Sequence, residues 1–111
     1  MKIIPRDRRF TVGREAPVEI THTHDLHPAP DEQITLCAEG AEYDVVRKDW
    51  GFYATPSVNG RLPRFGLRAA LVENPEGLRY VLLVHRHRLD EFNAYLHDQQ
   101  MRVLQWLDDA P

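Results

Sequence analysis

A chain of 111 residues with 42% hydrophobic and 28% charged side chains has the composition of one folded domain spanning 1–111, not of a disordered segment. No apolar run approaches the ~20 residues of a spanning helix, and a net charge of −3 with pI ≈ 6.0 argues against nucleic acid as a partner. A single cysteine, Cys37, and an N-terminus without the apolar stretch of a signal peptide predict a soluble protein of the cytoplasm.

Charge runs in blocks: +4 over residues 1–14, −7 over 15–49, +4 over 50–88 and −4 over 89–111. Blocks of opposite sign meet across a folded surface or between two copies, so a homodimer is one expectation. Arg61, Arg64, Arg68, Arg86 and Arg88 are a candidate anion-binding face.

In chain order, the N-terminal section predicts strands around Phe10–Val12 and Val18–Thr23. The proline-punctuated HPAPDE (27–32) predicts a surface connection. QITLCAEGAEYDVV alternates apolar and polar residues on either side of Glu39-Gly40, as a hairpin does. GFYAT is β-prone and stops at Pro56, and Asn59-Gly60 predicts a tight turn with positive φ. FGLRAALVE (65–73) and LRYVLLVHRH (78–87), joined by NPEG, predict an antiparallel hairpin. LDEFNAYLHDQQ (89–100) spaces Leu89, Phe92 and Leu96 as one helix face, with Asp90, Glu91 and His97 placed to suit the helix dipole. MRVLQWL (101–107) predicts a closing strand with Met101, Val103 and Leu107 on one face and Leu104 and Trp106 on the other; a continued helix is the alternative. Together these elements predict an α+β, mainly antiparallel protein. It would be a small curled sheet or barrel-like meander of six or seven strands with one C-terminal helix.

Two segments carry His-x-His: His22 and His24 within EITHTHDLHP, and His85 and His87 within VHRHR. Residues i and i+2 of a strand share a face. Two such strands can surround a divalent zinc, iron, nickel or copper ion, with Asp25 available to complete the shell. Cupin-type barrels are similar in arrangement, but the glycine-rich stretch and the Glu of their usual motif are absent here. The competing expectation is two polar strand ends with solvated histidines.

KDWGFYATPSVNGRLPRFG (48–66) sets Trp50, Phe52, Tyr53 and Phe65 beside Asn59, Arg61 and Arg64. Rings next to hydrogen-bond donors suit a ligand pocket, and arginine clamps carboxylate or phosphate. Alternatively, Trp50, Phe52 and Phe65 are core. Cys37, mid-strand between apolar neighbours, is expected to be a buried, inert thiol, and Ser57 lacks a nucleophile-elbow context.

These features predict a non-catalytic binding or accessory domain. Its site would be Trp50, Tyr53, Asn59, Arg61 and Arg64, and its partner a small polar or anionic molecule or another protein. The alternative is a small metal-dependent enzyme with His22, His24, His85 and His87 as ligands.

Overall fold

The computed structural model describes residues 1–13 and 16–109. Among them, β1 (Lys2–Val12) and β2 (Val18–His27) form a long antiparallel ribbon. β3 (Gln33–Ala38), β4 (Ala41–Lys48) and β5 (Gly51–Ala54) form a meander. β6 (Leu67–Glu73), β7 (Arg79–His85) and β8 (Arg102–Trp106) form a third sheet in the order β7–β6–β8. A one-turn helix, α1 (Arg61–Arg64), precedes β6, and α2 (Leu89–Asp98) lies between β7 and β8. No helix is long and apolar enough to cross a membrane.

The mainly antiparallel architecture and the C-terminal helix agree with the sequence; the barrel-like closure does not. Among the described residues no ladder joins the three sheets. Prolines stand where the joins would be. β2 ends at His27 before Pro28 and Pro30, and β5 ends at Ala54 ahead of Pro56, and proline has no N–H to offer a ladder.

The core centres on β6, the middle strand of its sheet, which is buried on both faces. Ala70 and Val72 point towards α2 and pack with Val84, Phe92 and Leu96. Leu67 and Ala69 point the other way, onto Ala41 and the fully buried Leu62 of α1. α2 therefore covers one side of this sheet, while β4 and α1 cover the other.

Local chemistry explains most element ends. Glu39 and Gly40 both take left-handed backbone (φ 51° and 81°), the twist a two-residue hairpin needs. Asn74 Oδ1 accepts from the N–H groups of Glu76 and Leu78 at 3.0 and 2.9 Å, tying the β6–β7 turn. The expected positive-φ turn at Asn59-Gly60 does not form: Gly60 has φ −132° and enters α1 instead. Ser57 is the reason, since its carbonyl accepts from Gly60 and Leu62 and its Oγ accepts from Arg61 N at 2.9 Å. The 101–107 segment is a strand, but its predicted faces are wrong beyond Val103. A bulge lets Val72 pair with Val103 while Leu71 pairs with Gln105, so Leu104 is extra. Trp106 thereby joins Val103 against the α2 side, and Leu107 packs on the other cluster.

The ribbon lies largely outside this packing. Its sequence-predicted strands, around 10–12 and 18–23, extend to 2–12 and 18–27. Phe10 faces Ile20 and Val12 faces Val18, and all four remain exposed. The ribbon is fastened near its tip, where Gln99 donates to the Ala16 carbonyl at 2.6 Å, and at its base by the Met1 ammonium and Glu32 at 3.3 Å. The Cα radius of gyration, 15.5 Å, exceeds the ~13 Å of a compact chain of this length.

Candidate functional site

The two histidine pairs part company in the fold. His22 and His24 lie inside β2, opposite Arg8 and Pro5 of β1. His22 Nε2 stands 2.7 Å from Asp25 Oδ1 and 3.2 Å from the His24 carbonyl, and Arg8 Nε donates to its Nδ1 at 3.3 Å. Asp25 takes two further bonds from Arg6, at 2.8 and 2.5 Å. Those Arg6 hydrogen bonds and charge, with a smaller contribution from His22, hold the Asp25 carboxyl below its ordinary range. The carboxylate proposed to complete a metal shell is thus held by Arg6 and His22.

His85 ends β7, and His87 follows in a 3-10 turn (Arg86–Arg88) rather than on the strand as its spacing implied. The ladder with β6 runs one bond further, from Arg86 N to the Gly66 carbonyl at 2.8 Å, before the chain turns. The two rings remain neighbours, with centroids 5.3 Å apart and tilted 44°. Glu39, carried over from the β3–β4 turn, joins them: its Oε2 is 3.1 Å from His87 Nε2 and 3.7 Å from His85 Nε2. Arg88 Nε donates to Oε2 at 2.8 Å and to Oε1 at 3.1 Å, and its Nη2 also bonds Oε1. These Arg88 bonds, ahead of its charge and the two histidines, pull the Glu39 carboxyl down to about 2. Among the described residues, Glu39, His85 and His87 are the one set of three metal-ligating side chains gathered within 4.8 Å; His22 and His24 are not part of it.

Beside this cluster lies an apolar cavity of about 180 Å³ between β3 and β7, lined by Leu36, Cys37, Tyr43, Leu67, Leu83 and His85 among others. Cys37 is exposed, contrary to the buried thiol expected of it, because β3 is an edge strand whose outer side no strand covers.

The 50–66 segment splits into two parts. Trp50, Phe52 and Tyr53 stand on the β4–β5 hairpin with 73%, 69% and 52% of their surface exposed, and Phe65 is also exposed, so these rings are not core. The arginines belong mostly to the fold. Arg61 Nη1 pairs with Asp44 Oδ2 at 3.1 Å and its Nη2 donates to Thr55 Oγ1 at 2.6 Å. Asp44, only 8% exposed, also accepts from Thr35 Oγ1 at 2.7 Å. Arg64 donates to the Gly60 carbonyl at 3.5 Å, and Asn59 is exposed. The guanidinium of Arg61 is therefore engaged by Asp44 and Thr55. The wider arginine face is tied up likewise: Arg68 is held by Asp108 at 2.9 Å and Arg88 by Glu39.

Phe52 instead borders a broad groove of about 610 Å³ where the base of the ribbon meets the meander. Leu26, Pro28 and the Met1 side chain supply apolar walls, and Lys2, His27, Arg47 and the Met1 ammonium are the lining groups able to carry charge. Glu32, outside this lining, pairs with the Met1 ammonium at 3.3 Å and accepts from Ala29 N at 2.7 Å. Sequence reasoning missed this groove because its walls come from residues 1–2, 26–30 and 47–52, no two of which form a motif. It also missed Glu39, whose signal was local: a glutamate in a two-residue turn that favours Asn, Asp or Gly.

Comparison with protein-family models, curated proteins and solved structures finds no match to this chain.

Proposed function

We propose that this protein is a non-catalytic binding module that docks a segment of another protein at the β4–β5 hairpin and the groove beside it. The observation carrying this reading is the exposure of Trp50, Phe52 and Tyr53 on one short hairpin, with Phe52 at the rim of the groove. Large rings held out on a rigid hairpin gain most when a partner desolvates them, and aromatic residues dominate binding hot spots. Lys2, His27 and Arg47 favour an acidic segment, and the apolar walls favour one that also carries aliphatic or aromatic side chains. The setting is cytoplasmic, where one unpaired thiol is ordinary.

Amide NMR shifts measured while titrating short peptides that alternate Asp or Glu with Leu or Phe test this. Shifts should concentrate at Leu26, His27, Ala29, Arg47 and Phe52, and should disappear in a Phe52→Ala, Arg47→Ala double variant. Shifts absent, or scattered away from the groove, would remove the proposal. A small metal-dependent enzyme is the second reading, favoured by His85 and His87 standing together at Glu39.

A further inference from the structure

We propose that Glu39, His85 and His87 form a binding site for one divalent transition metal ion of the zinc class. The donor types suit it: two imidazoles and one carboxylate are the ligand set of many three-ligand metal centres. The spacing suits it as well. Metal–ligand bonds of about 2.0–2.1 Å at tetrahedral angles place neighbouring ligand atoms roughly 3.3–3.4 Å apart. Glu39 Oε2 stands 3.1 Å from one histidine nitrogen and 3.7 Å from the other, so these two edges bracket that value without an ion between them. Small rotations of exposed or half-buried side chains are enough to converge all three.

Arg88 does not forbid the ion. Each carboxylate oxygen has two lone pairs, so Oε2 can accept from Arg88 Nε and still bind a metal, while Oε1 stays with Arg88 Nη2. Arg88 then orients the ligating carboxylate from outside, as such partners commonly do. Its positive charge weakens binding and sets the site apart from a fully closed structural centre.

Three protein ligands leave a fourth position open, the arrangement of a centre that accepts water or an exogenous donor. His85 belongs both to the ligand set and to the wall of the apolar cavity between β3 and β7. A small apolar molecule with one donor atom, seated in that cavity, would lie beside the ion. The site shares no residue with the aromatic groove, and it stands whether or not a partner docks there.

Zinc titration by calorimetry of the untagged full chain, prepared without nickel resin or chelators, tests the proposal, with cobalt absorption reporting the coordination geometry. One equivalent should bind. Glu39→Gln, and separately His85→Ala with His87→Ala, should weaken binding about tenfold or more. His22→Ala with His24→Ala should leave it unchanged. No uptake by the wild-type chain would overturn the proposal. So would uptake that survives Glu39→Gln but is lost with His22 and His24.

Discussion

The β6–β7–β8 sheet with α2 and the β1–β2 ribbon are both antiparallel, but only the first buries its apolar residues. β6 runs unbroken apolar from Ala69 to Val72, while the ribbon alternates apolar with polar residues around Phe10 and Ile20. β6 has a helix on one side and a second sheet on the other, so Ala70, Val72, Leu67 and Ala69 all vanish from solvent. The ribbon has two strands and no layer of described residues closing over Phe10, Val12, Val18 and Ile20. Alternation thus identifies a strand's face, but the protein's layers decide whether that face becomes core.

Substitution can break this contrast. Phe92→Ala removes the ring that meets Trp106 edge-on at 5.7 Å inside the α2 cluster. The expected loss is about 3–5 kcal/mol, read from the midpoint of urea unfolding. A loss below about 1 kcal/mol would show that this side repacks freely.

A smaller effect belongs to Asp108. Arg68 lies over the Trp106 ring at 4.1 Å and holds Asp108 with two bonds, at 2.9 and 3.1 Å. That hydrogen bonding keeps the Asp108 carboxyl below its ordinary value. A folded-state value below the unfolded one contributes stability at neutral pH and loses it as pH falls through the ordinary carboxyl range to the lowered value. Asp108→Asn should therefore cost about 1 kcal/mol at pH 7, and the gap from wild type should close in acid. A gap that persists at low pH would mean that the side chain acts by shape rather than charge.

Phe10→Ser should cost least, below about 1 kcal/mol, because the ring rests mainly on Ile20 and under Arg8 at 4.8 Å. Should it cost as much as Phe92→Ala in the same urea series, the ribbon face is covered in solution and the contrast falls. A second copy of the chain would be the first cover to test by sedimentation.

What the sequence made legible follows the same division. The hairpins at Glu39-Gly40 and across NPEG, the helix from Leu89 and the final strand were all visible, because each rests on local spacing and turn chemistry. The way the sheets separate was not visible, because it depends on which strand edges meet. His85 and His87 were legible as candidates, but their nearest carboxylate lies 46 and 48 residues earlier in the chain, at Glu39. The exposed rings of Trp50, Phe52 and Tyr53 carried no sign of their exposure, since an aromatic strand reads alike in a core and on a rim. The pairing of Arg61 with Asp44 was not legible, because Asp44 sits on a strand read only as half of a hairpin.

The bulge at Leu104 acts as a sorting device. β8 is the last strand, and its final residue and the one after it serve different clusters: Trp106 goes to the α2 side and Leu107 to the side of Leu62. Were Leu104 paired in register instead of bulging out, every residue beyond Val103 would face the opposite way. Trp106 would then be delivered against Leu67 and Ala69, and Leu107 left to fill a space shaped for an indole beside Phe92. By taking up one residue of surplus chain length, the bulge thus assigns the indole to the layer built to hold it.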